Sequence, residues 1–99
     1  MIRLPEPISF AWDDGNRDKN WLKHGVSNSE IEQAFFDAHK RLAKDTIHSS
    51  ATEERYILLG KTRAERLLFI VFTIRDTSIR IISARDMNQK ERPLYEQED

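Results

Sequence analysis

Arginine residues recur in the stretches of this sequence that are predicted to form strands. Arg55, Arg75, Arg80 and Arg85 lie in or at the ends of these stretches. A guanidinium group can bind two oxygens of one phosphate at once, which an ammonium group cannot do. The four side chains therefore predict a binding site for a phosphate-bearing ligand on one sheet. For any single arginine, an alternative is that it solubilises an edge strand or forms an ion pair with a glutamate.

The spacing of Arg80 and Arg85 decides whether these two side chains can act together. In a regular strand, side chains five residues apart point to opposite faces of the sheet. We therefore expect Arg80 and Arg85 on opposite faces, unless a bulge or a frayed strand end reorients Arg85. Arg75 and Arg80 accordingly rank ahead of Arg85 as phosphate ligands.

The first half of the chain predicts an edge strand and two helices, at residues 8–12, 16–24 and 28–37. Asp13 and Asp14 offer a cap for the first helix, and Gly25 is the residue expected to end it. Ser27 and Glu30 match a capping box, which favours a second helix immediately after Ser27.

The second half predicts three strands and a final helix, at residues 55–59, 67–74, 78–85 and 87–97, with a weaker strand signal at 41–46. The nearly continuous apolar run at 67–74 indicates the central strand, covered on both faces. Residues 75–77 predict a tight turn that makes the last two strands an antiparallel hairpin. The order of elements predicts an α+β fold of two layers: an antiparallel sheet with two N-terminal helices and a C-terminal helix, in one domain at residues 1–99.

Composition restricts the possible functions. The 99 residues include no cysteine, which excludes disulfides and thiolate zinc sites and leads us to expect a cytoplasmic protein. The chain has no apolar run long enough for a bilayer and no signal-peptide core, so we expect no membrane contact. A net charge of −1 means that nucleic-acid binding would need a local basic face. Without a close pair of histidines or carboxylates, we expect neither a metal nor another cofactor.

Several short motifs occur together in this chain: Trp12-Asp13, Asn20, Lys-His-Gly-Val-Ser at 23–27, Phe36-Asp37, Glu54-Arg55, Gly60, Ile-Arg-Ile-Ile-Ser-Ala-Arg at 79–85, Glu91-Arg92 and Tyr95. With these motifs the chain resembles the BrnT family, over about residues 10–95. The resemblance implies a RelE-like fold and a ribonuclease toxin that arrests translation. It also implies a BrnA antitoxin as partner, through which operator DNA would be bound. Departures from the family pattern at Ala38, Glu65 and Met87 concern turns and the packing of the last helix.

The resemblance also implies which groups cleave RNA. Metal-independent cleavage needs a base, an acid and cations that stabilise charge on phosphorus. We expect these groups among the following residues: Lys23, His24, Glu54, Arg55, Arg75, Arg80 and Arg85. Lys23 and His24 lie at the end of the first helix, where the dipole favours cations; His24 could be the acid or a simple helix cap. Glu54 could be the base, with a surface ion pair as its alternative.

Residues expected to contact RNA are Trp12, Lys19, Glu91, Arg92 and Tyr95. Trp12 could stack on a base, although core packing is the more frequent role of tryptophan in a small chain. Spacings of three and four would place Glu91, Arg92 and Tyr95 on one helix face, where an ion pair and a packed aromatic ring are the alternative. A second class of function also fits: a non-catalytic module that binds a partner protein through the same sheet.

Overall fold

The computed structural model describes residues 2–98, which form three helices and one four-stranded sheet. The elements are α1 (Lys19–His24), α2 (Asn28–Phe35), β1 (Arg41–Asp45), β2 (Arg55–Lys61), β3 (Leu67–Arg75), β4 (Ser78–Asp86) and α3 (Glu91–Glu96). The strands lie in the order β1-β2-β3-β4, and each is antiparallel to its neighbour. The predicted α+β fold, with two N-terminal helices and a C-terminal helix, is confirmed.

Local sequence signals set the boundary between α1 and α2. Gly25 has φ 65° and ends α1, as predicted. The Ser27 side chain accepts a hydrogen bond from the backbone N–H of Glu30, and the Glu30 carboxylate accepts one from the backbone N–H of Ser27. These reciprocal bonds confirm the predicted capping box and fix where α2 begins.

Two predictions about the N-terminal region are wrong. Residues 8–12 do not form a strand, and only Phe10 makes a bridge, parallel to Ile79, within the described residues. The reason is that side chains from around α1 occupy the edge of β4 beyond this bridge. Neither Asp13 nor Asp14 caps α1: the helix begins at Lys19, because residues 14–18 form turns first.

The main core fills the space between the sheet and α2. Ile31 and Phe35 of α2 are fully buried against Leu58, Ile70 and Phe72 of the sheet. Since alternate side chains of β2, β3 and β4 point to this side, the remaining ones must point to the other. The side of the sheet on which each arginine lies is therefore set by its position in the alternation of its strand.

Helix α3 covers part of the opposite side of the sheet. Tyr95 of α3 and the nearby Met87 pack over Leu59, Leu67 and Phe69. This second apolar cluster covers β3 on its other side near the start of that strand, in agreement with the prediction for a central strand. The other end of this side, toward the β3–β4 turn, holds Arg55, Arg75 and Arg80, whereas Arg85 lies beside α3.

Candidate functional site

A β-bulge in β4 places Arg80 and Arg85 on the same side of the sheet. The residues that flank Ile82 in β4 pair with adjacent residues of β3, Phe72 and Val71, so Ile82 is an extra residue in the strand. An extra residue shifts the alternation of every later side chain by one position. The two arginines therefore do not point to opposite faces as a regular strand would require, because β4 contains a bulge, which was the exception allowed for Arg85.

The register between strands brings all four predicted arginines to this side. Thr73 pairs with Arg80, and extending the β2–β3 register by one residue places Arg55 on the other flank of Thr73. Arg75 follows two residues after Thr73, and Arg85 lies toward the end of β4. Directly paired residues point to the same side of a sheet. We call this side the arginine face, defined by Arg55, Arg75, Arg80 and Arg85.

Glu53 joins two arginines of this face. One carboxylate oxygen accepts a hydrogen bond from Arg55 Nε at 3.3 Å, and the other accepts one from Arg75 at 3.0 Å. The hydrogen bond from Arg75, followed by that from Arg55, lowers the pKa of Glu53. Its carboxylate is therefore ionised at neutral pH and holds both guanidinium groups in place.

Glu54, the predicted base, lies on the other side of the sheet. Its carboxylate accepts hydrogen bonds from the Tyr56 hydroxyl at 2.8 Å and from Lys44 Nζ at 3.0 Å. The structure therefore does not bring Glu54 to the arginine face. Glu53, which sequence reasoning missed, precedes Arg55 by two residues. Strand alternation extended from Arg55 could have identified Glu53 as the carboxylate on this face.

Arg80 is held by a turn that precedes α1. Its guanidinium group donates to the Asp13 carboxylate, and this hydrogen bond is the main cause of the lowered pKa of Asp13. The backbone N–H of Gly15 donates to the other oxygen of Asp13 at 2.8 Å. A Cβ atom on Gly15 would lie 3.1 Å from the Arg80 guanidinium, so the small residue lets Arg80 pass close to the turn.

Arg85 is held by α3. Its two terminal nitrogens donate to the two carboxylate oxygens of Glu91, both at 2.8 Å. The guanidinium carbon lies 4.1 Å from the centre of the Phe69 ring, which supports the group from the sheet side. The hydrogen bonds with Glu91 raise the pKa of Arg85, and those with Arg85 lower the pKa of Glu91. Arg85 is therefore charged and fixed in orientation.

The three α3 residues predicted to bind RNA have separate surroundings. Glu91 faces Arg85, whereas the Tyr95 side chain is buried and donates its hydroxyl hydrogen to Asp37 at 2.6 Å. Arg92 is exposed. The structure therefore does not gather these residues on one RNA-facing surface, and Tyr95 anchors α3 to the rest of the chain.

Lys23 and His24 lie at the opposite end of β4 from Arg75. Both side chains are exposed, and the backbone oxygen of His24 accepts a hydrogen bond from Arg66, which also binds Asp86 at 2.7 Å. The hydrogen bond from Arg66 is the main cause of the lowered pKa of Asp86, and His24 contributes to it. At about 3.3 Å per residue, the length of β4 separates the two ends by roughly 20 Å or more. Lys23 and His24 therefore lie nearer to Arg85 than to Arg75.

Trp12 and Lys19, which were predicted to bind RNA, both make structural contacts. Trp12 Nε1 donates to Glu32 at 2.8 Å, and its ring packs against the main core. Lys19 Nζ donates to the backbone oxygen of Ile82 at 2.7 Å. The Trp12 ring is consequently on the core side of the sheet, and the Lys19 ammonium group is bound to the bulge.

The arginine face can bind phosphate groups and stabilise negative charge that develops on phosphorus. Its guanidinium groups come from three neighbouring strands, and carboxylates fix their orientation. Among residues 2–98, no group of three or more histidine and carboxylate side chains is arranged to hold a metal ion. Within the same residues, no helix has the length and apolar character needed to cross a membrane.

Comparison with protein families gives a match over most of the chain. A family model described as a ribonuclease toxin, BrnT, of a type II toxin-antitoxin system matches residues 12–91. The matched segment includes the whole sheet, the bulge and all four arginines of the arginine face. A search of curated protein sequences finds no match to this chain.

Proposed function

Because this chain belongs to the BrnT family of ribonuclease toxins from type II toxin-antitoxin systems, we propose that its arginine face binds and cleaves RNA without a metal. The observation that carries the proposal is the register of the sheet. It gathers Arg55, Arg75, Arg80 and Arg85 on one side, although they come from three strands and are up to thirty residues apart in the chain. Guanidinium groups in this arrangement supply the cations that a metal-independent ribonuclease needs.

Arg55 and Arg80 are the pair best placed to hold the phosphate that reacts. They flank Thr73 in one row, so their backbones lie about two strand spacings, roughly 10 Å, apart. Side chains reaching inward from both flanks can contact oxygens of the same phosphate. In the transition state the extra charge on those oxygens would strengthen both contacts, which is how fixed cations accelerate phosphoryl transfer.

Glu53 is our candidate for the base. Cleavage begins when a base removes the proton of the ribose 2′-hydroxyl, whose oxygen then attacks phosphorus while the bond to the 5′-oxygen breaks and that oxygen gains a proton. The Glu53 carboxylate is ionised and lies between Arg55 and Arg75, within the proposed phosphate site. Its alternative role is to orient these two arginines.

Arg85 and the exposed Lys23 and His24 would act at the other end of the bound RNA. An RNA strand that runs along β4 from Arg80 passes Arg85 and then reaches the end of α1. In this arrangement His24 would contact a more distant phosphate and would not act as the acid, because the acid must reach the leaving oxygen at the phosphate held by Arg55 and Arg80. Arg92, also exposed, would add charge beside this end.

We further propose that the partner is a BrnA-type antitoxin and that RNA cleavage inhibits translation in the cytoplasm. Family membership supports an antitoxin protein as partner and RNA as target. A protein partner that covers the arginine face would keep RNA away from the four guanidinium groups. Operator DNA would be bound only through the antitoxin, as the resemblance to the family implies.

The test uses purified chain without antitoxin, incubated with total RNA and with a short synthetic RNA, in buffer with and without EDTA. We expect cleavage under both conditions, and none with a variant in which Arg55 and Arg80 are both alanine. Loss of cleavage in EDTA, restored by one divalent ion, would refute metal independence. Intact RNA under all conditions, from folded protein, would instead favour the non-catalytic protein-binding function.

A further inference from the structure

Three polar side chains from the region of α1 bind the free edge of β4 at the bulge. The contacts are Asn16 Nδ2 to the Ile81 oxygen at 3.3 Å, Lys19 Nζ to the Ile82 oxygen at 2.7 Å, and the Ala84 N–H to Asn20 Oδ1 at 2.9 Å. Asn16 and Asn20 are 2% and 1% exposed, so both amides are committed to the interior. Together they replace the neighbouring strand that β4 lacks at this edge.

The apolar pattern of β4 does little to fix the position of the bulge. If the extra residue lay after Arg85 rather than at Ile82, Ser83 would take the core position that Ala84 now occupies. Serine and alanine are similarly small, so this exchange changes the packing of the core only slightly. Arg85, however, would turn to the core side of the sheet and leave the arginine face.

Lys19 contacts the atom that distinguishes the present register from the shifted one. The Ile82 oxygen belongs to the extra residue, so it has no regular position in the ladder of a sheet. An ammonium group on a flexible stem can reach such an oxygen, and binding it favours the register in which Ile82 is the extra residue.

We propose that Lys19 is a positioning residue: with Asn16 and Asn20 it holds the bulge at Ile82 and thereby keeps Arg85 on the arginine face. The effect of this role on cleavage rests on the proposed function of that face. Lys19 acts through the backbone of β4 and does not contact RNA. It links the end of α1 to the orientation of a guanidinium group on the sheet.

The first test measures the register without RNA. Cross-strand NMR contacts between Phe69 and Arg85 report the present pairing in the native chain. We expect Lys19→Met, which keeps the stem and loses the ammonium group, to weaken these contacts and to produce a second set of signals for residues 82–85. Lys19→Arg, which keeps a charged donor, should retain the native pairing. Unchanged pairing in folded Lys19→Met would overturn the proposal.

The second test uses single-turnover cleavage of a short RNA in two backgrounds. Deleting Ile82 gives a strand without a bulge that still presents Arg80 and Arg85 on one side. Lys19→Met should slow cleavage about tenfold or more in the native background, and less than about twofold in the deletion background. Equal losses in the two backgrounds would mean that Lys19 contacts RNA, and the proposal would be wrong.

A third measurement applies if the deletion variant does not fold. A lysine that neutralises a phosphate contributes about one unit to the slope of log affinity against log salt. We expect Lys19→Met to leave this slope unchanged in an Arg85→Ala background, in which Arg85 no longer neutralises a phosphate, and a slope reduced by a further unit in that background would overturn the positioning role. Failure of the native chain to cleave RNA would refute the proposed function alone, since the NMR test of the bulge does not depend on activity.

Discussion

Arg80 provides the most direct test of the arginine face. Its side chain is 19% exposed, and its guanidinium group is held against Asp13 at the β4 edge of the face. Replacing Arg80 by lysine keeps the positive charge but removes the planar fork that contacts two phosphate oxygens at once. If Arg80 stabilises the transition state, the substitution should affect the rate of cleavage more than the binding of RNA.

The expected loss of cleavage rate follows from the removal of one of the four guanidinium groups that stabilise the charge on the phosphate. Removing one fixed donor from a site of this kind lowers the rate about a hundredfold or more, roughly 3 kcal/mol in the barrier. RNA binding should weaken much less, because Arg55, Arg75 and Arg85 still contact the backbone. The melting temperature of Arg80→Lys should change little, because lysine keeps a positive charge opposite Asp13, whose side chain is 58% exposed.

The assay is single-turnover cleavage of a short RNA by the native chain, Arg80→Lys and Arg80→Ala, with thermal melts of each protein. Arg63→Lys is the matched control, because Arg63 is exposed on the β2–β3 turn, at the opposite end of the sheet from Arg80. The control should cleave at the native rate. If both Arg80 variants are folded and also cleave at that rate, Arg80 only solubilises an edge strand and the proposed phosphate site is wrong.

Three further predictions concern stability, measured by urea unfolding. Tyr95→Phe removes the 2.6 Å hydrogen bond to Asp37 and should lower the free energy of unfolding by about 1–2 kcal/mol, whereas the control Tyr56→Phe, on an exposed hydrogen bond, should change it little. Burial alone would raise the pKa of Asp37, but hydrogen bonds, first among them that from Tyr95, lower it overall. The stability that ionised Asp37 contributes is therefore present above about pH 4 and is lost as pH falls through its lower folded pKa. The difference in free energy of unfolding between the native chain and Tyr95→Phe should consequently be smaller at pH 3 than at pH 7. A difference that stays constant would contradict this reasoning. Glu65→Gly should raise the free energy of unfolding by about 1 kcal/mol, because Glu65 has φ 67°, a conformation that glycine adopts without strain. The control Ala64→Gly, at the neighbouring position, should not raise it. Equal effects of the two substitutions would show that the backbone at Glu65 is not strained.

Most of the fold could be predicted because local and long-range signals agree. The capping box at Ser27 and Glu30 acts through adjacent residues, and the hairpin of β3 and β4 joins strands close in sequence. The alternation of residues 8–12 is compatible with a strand, but these residues do not form one. The edge of β4 with which they would pair is bound instead by the side chains of Asn16, Lys19 and Asn20.

The candidate site was predictable in its residue types and less so in its geometry. Guanidinium chemistry identified Arg55 and Arg80 from sequence, and the register of the sheet does place them in one row. A bulge ahead of Arg85 was allowed for, but its position at Ile82 could not be predicted, because that position depends on how β4 pairs with β3 and on contacts from α1. Glu54 was chosen over Glu53, although alternation extended back from Arg55 in the predicted strand at 55–59 puts Glu53 on the same side as that arginine.

The bulge at Ile82 also changes how β4 corresponds to strands in other sequences. Here five positions separate Arg80 from Arg85, yet the two side chains occupy the places that a regular strand would give to residues four positions apart. A sequence with three residues between its two arginines can therefore present the same pair of guanidinium groups. Aligning such a sequence with this one requires a gap opposite Ile82, and an ungapped alignment would match an arginine of one chain with a residue on the wrong side of the other.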